Sequence, residues 1–444
     1  MHFLVRVFLL IALGGGVAVA DELRWWKGNL HTHTLWSDGD DFPETVADGY
    51  RSQGYHFLAL SDHNVLSHGE RWMTVSNIAA RAKGEHWRGA SFTPRDAFAG
   101  YIQRFGHHWV ETRIHPTNGQ HQVRLKPIDE YRALVEEAGR FILIQAEEIT
   151  QDATNGRAIH MGAINVHEWI SSQVAGTVPE VMRKVLAAVE QSAAKAGRQI
   201  FVHVNHPNFK WGVTAEDLAE VVNEEFFEIW NGFHGDNDPG DANHPSSDEI
   251  WDIANTLRLV AFKAPPLYGL ANDDSHDYQG NKVRSPPGRA WVMVRSRFLT
   301  PEFLVRALRA GDFYATTGVL FDDVQFDAEA GKLSLRIQPN GPETFVTRFI
   351  GTRRGVNVTG RPRIDAAGKV VETTLEYRTD SGPQIGEVFA EAKGLLPVYM
   401  LKGDELYVRA VVTSSGNPAV PGPEQQFRQA WTQPVGWTVP AAKR

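Results

Sequence analysis

The chain contains no cysteine. Disulfides, thiolate zinc sites and iron–sulfur clusters are therefore excluded, and any metal site has to be built from imidazole and carboxylate. A basic tract is missing as well: 45 Lys and Arg face 53 Asp and Glu, for a formal net charge of -8. Nucleic-acid affinity comes mainly from phosphate neutralisation by basic patches, so no nucleic acid is expected as a partner. No polar low-complexity tract is present, and 42% hydrophobic with 22% charged residues is the composition of a folded globular chain. Beyond the N-terminus, no stretch is apolar enough to span a bilayer.

That N-terminus reads as an export signal. Arg6 supplies a positive start, Val7 to Leu13 open an apolar core, and Ala18-Val19-Ala20 gives the small-x-small pattern before Asp21. Residues 1–20 are thus expected to be a cleaved signal peptide. A periplasmic or secreted chain with no stable membrane insertion follows. The competing reading, a retained anchor, asks more length than this apolar run offers.

With 444 residues the chain is long enough for two domains. From residue 21 to 318, short apolar strands alternate with helices. Strands are predicted at Arg24 to Leu30, His56 to Leu60, Phe141 to Gln145, Ile200 to Val204, Phe226 to Trp230, Leu267 to Ala271 and Trp291 to Val294. Helices are predicted at Pro43 to Gln53, Pro179 to Ala196, Ala215 to Asn223, Ser247 to Leu257 and Pro301 to Ala310. This alternation indicates an α/β fold with a parallel sheet, and the strand number favours a distorted TIM-like barrel with fewer than eight units. Residues 65–125 interrupt the rhythm and read as an insertion over the active-site mouth. Residues 319–444 switch to period-two segments with Gly, Pro and Asn turns, the pattern of an all-β sandwich domain.

Chemistry concentrates at the ends of the predicted strands. Leu30-His31-Thr32-His33 puts two imidazoles on one face of an extended segment, and Ser37-Asp38-Gly39 follows on the same loop. Ser61-Asp62-His63-Asn64, Glu147-Glu148, Asn205-His206-Pro207 and Asp273-Asp274-Ser275-His276 occupy later strand ends, and Ile159-His160-Met161 comes between the second and third of these. In a barrel those ends converge on one mouth. Charged groups are rarely buried without a partner or a metal, which makes independent accidents a poor explanation. One catalytic zinc takes about three protein ligands, so this many donors implies two or three divalent ions. Mixed imidazole and carboxylate ligation suits Zn, Mn or Fe better than a calcium or magnesium cage. Such ions would activate a water for hydrolysis at phosphorus or at an acyl carbon.

In this combination and order, over about 250 residues, the motifs resemble the PHP (polymerase and histidinol phosphatase) superfamily of metallohydrolases. The resemblance implies a distorted (β/α)7 barrel with a trinuclear metal centre acting through its bound metals. It implies that His31, His33, Glu148 and Asp274 hold one metal, and that Glu148 bridges to a second with His160 and His206. Asp38, His63 and His276 would hold the third, with Asp38 standing where some members carry His. Glu147 is the rival of Glu148, while His203 and Asp62 are expected to support the ligands. Phe313-Tyr314-Ala315-Thr316-Thr317-Gly318, Val408-Arg409-Ala410-Val411 and Ala430-Trp431-Thr432-Gln433-Pro434 resemble, more narrowly, the CehA/McbA-like branch. Superfamily members cleave phosphate mono- and diesters, and this branch includes carbamate and ester hydrolysis.

Three functions compete. The leading one is a phosphoesterase acting on a small phosphorylated molecule, with Arg113 and Lys126 as candidate substrate cations and His234 as candidate general acid. The second is a carboxylic or carbamic ester hydrolase, with Trp72, Trp87 and Trp109 forming an apolar pocket. The third is a non-catalytic exported binding protein. Glu228 is read as a support for the ligands or as a group paired within the barrel.

Overall fold

The computed structural model describes residues 22–82, 96–279, 284–421 and 427–439. The expected signal segment and Trp87 lie outside the described residues. Among the described residues, no helix is long and apolar enough to cross a membrane.

The alternating apolar segments form strands at Arg24–Asn29, Phe57–Leu60, Phe201–Val204, Phe226–Asn231, Tyr268–Asn272 and Trp291–Ser296, each within a residue or two of the expected bounds. The helices are Pro43–Ser52, Val178–Ala196, Ala215–Glu220, Ser247–Leu257 and Pro301–Arg309. Their starts follow local chemistry. Thr177, Thr214 and Ser246 each accept a hydrogen bond from the third helical N–H, and Glu180, Asp217 and Glu249 reciprocate.

Two elements depart from expectation. The strand begun at Ile142 runs on to Asp152, and Ala158–Ile164, not anticipated as a strand, folds back on it. Ala158–Ile164 pairs antiparallel with both Ile142–Asp152 and Phe201–Val204. Arg24–Asn29 pairs parallel with Phe57–Leu60 but antiparallel with Trp291–Ser296. The sheet is therefore mixed, not purely parallel. Nine of its strands, from Arg24–Asn29 to Phe313–Thr316, contribute side chains such as Trp26, Phe57, Ile144, Phe201, Phe226, Leu270 and Val292 to one buried cluster. Helices Val178–Ala196, Ala215–Glu220 and Ser247–Leu257 pack their apolar stripes on the other side through Val181, Val185, Leu218, Ile250 and Trp251.

Residues after 318 are all-β. Gln429–Thr432, Glu405–Ser414, Phe345–Arg353 and Glu387–Lys393 extend the large sheet to 13 strands, because Gln429–Thr432 pairs with Phe313–Thr316. Leu320–Asp327, Lys332–Gln338 and Val398–Met400 make a second sheet, and Phe321, Leu335, Phe349 and Val412 lie buried together in the core of this region. Residues on both sides of position 318 thus share one hydrogen-bonded sheet. The described residues of the insertion form a three-stranded antiparallel sheet, Arg71–Thr74, His121–Leu125 and Thr112–Ile114, with helices at Val75–Ala82 and Ala97–Phe105. It packs Met73, Ile78, Tyr101 and Val123 against Leu35, Trp36 and Phe42 of the segment that carries Asp38.

Candidate metal centre

The segments at the strand ends are laced together before any side chain is considered. His33 N–H donates to Ser275 O, Asp40 N–H to His276 O, Asn64 N–H to Glu148 O and Asn205 N–H to His160 O, at 2.8–3.0 Å. Neighbouring chain segments therefore hold their chemical residues at fixed spacing.

All nine expected ligands come together in four overlapping groups whose donor atoms lie within 4.8 Å of one another. The groups are His31, His33 and Asp274; His31, Glu148 and His206; His63, Glu148 and His160; and His33, Asp38, His63 and His276. Glu148 Oε1 lies 3.3 Å from His31 Nε2, 3.2 Å from His160 Nδ1 and 3.3 Å from His206 Nε2. Asp274 Oδ1 lies 3.2 Å from His31 Nε2 and 2.9 Å from His33 Nε2. Asp38 Oδ1 lies 3.3 Å from His276 Nε2 and 3.7 Å from His63 Nε2. Bonds of about 2.0–2.1 Å to one tetrahedral ion would set ligand atoms roughly 3.3 Å apart, so these separations suit shared ions.

The donor set also leaves a deficit that a cation would fill. Among the described residues His33 Nε2, Glu148 Oε2 and Asp274 Oδ1 are buried without a well-directed hydrogen bond, although His33 Nε2 faces Asp274 Oδ1 at 2.9 Å and Glu148 Oε2 lies 2.6 Å from His63 Nδ1. Leaving charged oxygens in that state is costly. Without ions the carboxylates draw protons onto the rings: despite burial, Glu148 and Asp38 raise His63 to about 9. His33 goes the other way, lowered to about 3 by burial and by the neighbouring His276 and His63. Divalent ions would replace those protons as the positive charge of the cluster. The residues fit a multinuclear site.

The surrounding residues fix which ring nitrogen faces inward. His31 Nδ1 lies 2.9 Å from Glu228 Oε1, which leaves Nε2 to Glu148 and Asp274. Glu228 is fully buried and also accepts from Asn272 Nδ2, Asn231 Nδ2 and the His206 N–H. Burial would raise its carboxyl, yet the His31 imidazole holds it at about 2. His276 Nδ1 sits 2.8 Å from Asp274 O, directing Nε2 to Asp38. Asp62 accepts from the Thr34 and Ser37 backbone N–H groups and from both hydroxyls, so it braces the segment between His33 and Asp38.

Glu147 and Glu148 separate by strand alternation. Glu147 points away from the cluster and accepts the Ile170 N–H at 2.7 Å, and burial raises its carboxyl to about 8. His203 is buried behind His31, with ring centroids 6.5 Å apart. A Cβ at Gly162, its partner across the ladder, would come within 2.3 Å of the His203 ring, so a side chain is excluded there.

Other expected site residues are elsewhere. Arg113 stacks on Trp72, donates to Gln122 and approaches Glu70, all within the insertion. Lys126 pairs with Glu111 and lies over Trp109. Trp72 Nε1 donates to Glu70 within the insertion, while Trp109 Nε1 donates to Tyr101 of the insertion and to Glu44 of the helix Pro43–Ser52. Among the described residues, Arg113, Lys126, Trp72 and Trp109 are thus each engaged with protein partners. His234 is half-buried, its N–H bonded to Arg284 O, and it stands outside the four ligand groups.

Some site residues escaped the sequence reading. Asp236, 2% exposed, has an unpartnered Oδ2; burial raises its carboxyl well above the usual range, with His206 opposing and Asp274 reinforcing the shift. Asn205, quoted from the sequence only as part of Asn205-His206-Pro207, donates to Glu148 Oε1 at 2.8 Å. Phe209 and Phe233 also border the ligand histidines, and Arg284 stands over Phe233. The signal available for Phe233 and Asp236 was their place just past a strand end, shared with His234.

No protein-family model matches the chain. One curated relative, the DNA polymerase/3'-5' exonuclease PolX of Bacillus subtilis, is 32% identical over 62 residues, 14% of this chain. The chain spans only 11% of that relative's length. Among solved structures, a two-domain Bacteroides vulgatus protein containing a predicted PHP-like metal-dependent phosphoesterase is similar with a TM-score of 0.37 and 12% identity. That likeness covers 93% of this chain and 96% of the other. A Bifidobacterium adolescentis protein, described as a candidate metal-dependent phosphoesterase, gives a TM-score of 0.28 at 13% identity, over 60% of this chain and 94% of the other.

Proposed function

We propose that the chain is an exported, multinuclear metal-dependent phosphoesterase that hydrolyses a small phosphate mono- or diester, on a distorted TIM-like (β/α)7 barrel. The observation that carries this reading is the convergence of nine imidazole and carboxylate side chains into four overlapping ligand groups sharing His31, His33, His63 and Glu148. His31, His33, Glu148 and Asp274 would hold one ion, Glu148, His160 and His206 a second, and Asp38, His63 and His276 the third. Zn, Mn or Fe in two or three of these positions would supply Lewis acidity and positive charge for an anionic transition state.

The protein's own residues do the positioning. Glu228 sets the tautomer and aim of His31, and through the His206 N–H it couples two of the ion positions. Asp62 holds the segment from His33 to Asp38 in register with them. Asp38, about half exposed, leaves the third position open to a substrate. His234 is the candidate proton donor for the leaving group, on the loop that also carries Phe233 and Asp236. Export and the CehA/McbA-like branch belong to the same proposal.

A metal-dependent carboxylic or carbamic ester hydrolase is the second reading, favoured by the Phe209 and Phe233 rings against the ligand histidines. Initial rates of the mature, Mn- or Zn-loaded protein on aryl phosphate monoester, aryl phosphate diester and naphthyl ester or carbamate separate the two. Faster turnover of a phosphate is expected, and turnover of the neutral ester alone would overturn the leading reading. Asp274→Asn and His206→Ala are each expected to lose at least about a hundredfold in rate with the fold retained. Wild-type rates in both variants would leave the cluster without a catalytic role.

A further inference from the structure

Five of the six ligand imidazoles trace a line, and the sixth, His63, lies against His33, His160 and His276. Ring centroids are 4.9 Å apart from His160 to His206, 5.6 Å from His206 to His31, 5.1 Å from His31 to His33 and 4.1 Å from His33 to His276. A phenylalanine borders each end. Phe209 lies 5.5 Å from His160 and 5.3 Å from His206, and Phe233 lies 5.4 Å from His276. Over each phenylalanine stands a cation, Lys210 Nζ at 5.0 Å from the Phe209 ring centre and the Arg284 guanidinium at 5.1 Å from that of Phe233.

The two cations are not equivalent. Lys210 is exposed to solvent. The Arg284 side chain is only 21% exposed. Its Nε is buried without a hydrogen-bond partner, and its contact with Asp277 is 3.6 Å, longer than a hydrogen bond. An arginine is thus held, by an aromatic face and a loose ion pair, over the ring that borders His276, one ligand of the third ion position. Among the described residues no closer partner engages its guanidinium, so the terminal nitrogens can offer an anion a planar pair of donors. The ligand set contains three carboxylates, Asp38, Glu148 and Asp274, with Glu228 directly behind. A dianion entering there needs more fixed positive charge than a monoanion does.

We propose that Arg284, positioned on Phe233 beside His276, binds the non-bridging oxygens of the substrate and makes the protein select phosphate monoesters over diesters. This inference rests on the phosphoesterase reading for its substrate class.

The test uses the metal-loaded full-length mature chain and its Arg284→Ala, Arg284→Lys and Lys210→Ala variants. Kinetics on aryl phosphate mono- and diester are paired with metal analysis and with calorimetric titration of inorganic phosphate. In Arg284→Ala, the monoester KM should rise and phosphate affinity should fall by about tenfold or more, with metal content unchanged. The diester should suffer less, so the mono/diester preference should shrink. Arg284→Lys should recover part of the loss, and Lys210→Ala should behave as wild type. Wild-type KM and phosphate affinity in Arg284→Ala would overturn the proposal, as would loss of metal in both Arg284 variants. If the parent protein turned over neutral esters alone, the phosphoesterase reading would fall. Phosphate titration would still judge Arg284: affinity that depends on it supports an anion site, and affinity independent of it, or none, overturns one.

Discussion

Glu228 touches no substrate position, yet it engages four donors at the heart of the cluster: His31 Nδ1, Asn272 Nδ2, Asn231 Nδ2 and the His206 N–H. Replacing it by Gln keeps the shape but removes the charge. It also turns an amide NH2 toward groups that are themselves donors. Outer partners of this kind typically contribute about 10–100-fold in metal affinity. Glu228→Gln is therefore expected to weaken metal binding by that factor, measured by titration in a metal buffer, and unchanged affinity would show the carboxylate to be mere packing. At this scale much of the site was legible. Histidine and carboxylate at strand ends are conspicuous because such groups are rarely buried alone, and all nine named ligands meet. Arg284 and Asp236 were not legible, because a lone charge past a strand end reads the same whether it faces solvent or a cluster. The partners of Arg113 and Lys126, Gln122 and Glu111, were hidden for the converse reason: they lie within the insertion, whose fold no periodicity announced.

Element bounds were mostly legible, since alternation and capping residues act locally. Pairing direction was not. Apolar strands of four to seven residues look alike whether their neighbours run parallel or antiparallel, so the hairpin from Ile142 to Ile164 read as a strand followed by a loop. Its turn at Asn155-Gly156 lies beyond Glu148, and the strand persists through that ligand instead of ending before it. A second feature of the elements is a buried carboxyl at the start of the strand Phe226–Asn231. Glu224 Oε1 accepts the Glu225 and Phe226 N–H groups, while Oε2 is buried without a partner. Burial raises this carboxyl to about 8, with the two backbone bonds and Arg258 opposing. The unfolded chain loses the proton near its ordinary value of 4.5, so the folded form binds more protons between there and about 8. Stability should then fall as pH rises through that window, by up to about 1.4 kcal/mol per pH unit from this group. Glu224→Gln stays neutral, and its stability relative to wild type should climb from pH 5 to 8 and level off above. Denaturant unfolding across that range checks the sign, and parallel profiles for the two proteins would refute it.

Across the whole molecule, the question is whether the all-β residues after 318 form an independent unit, as the change of periodicity suggested. The ladder between Phe313–Thr316 and Gln429–Thr432 joins them to the α/β part, and a buried polar knot reinforces it. Arg409, 1% exposed, donates Nε to Asp252 Oδ1 at 2.9 Å and Nη2 to Asp252 Oδ2 at 2.7 Å, with its guanidinium 4.6 Å from the Trp251 ring. Tyr407 donates to the same Asp252 carboxylate at 2.7 Å, and Trp431 Nε1 to Asp248 at 3.2 Å. Both acids belong to the helix Ser247–Leu257, which packs Trp251 in the α/β core. Removing one partner of such a pair leaves the other charge buried and uncompensated, a loss of about 3–5 kcal/mol. Arg409→Leu should thus destabilise the α/β part although the substitution lies in the β part. If the two regions unfold as one cooperative unit, the parent protein at fixed metal concentration should show a single calorimetric transition, and Arg409→Leu should lower it whole. Two transitions, with the substitution moving only the one assigned to residues 319–444, would make the β region a separate domain after all.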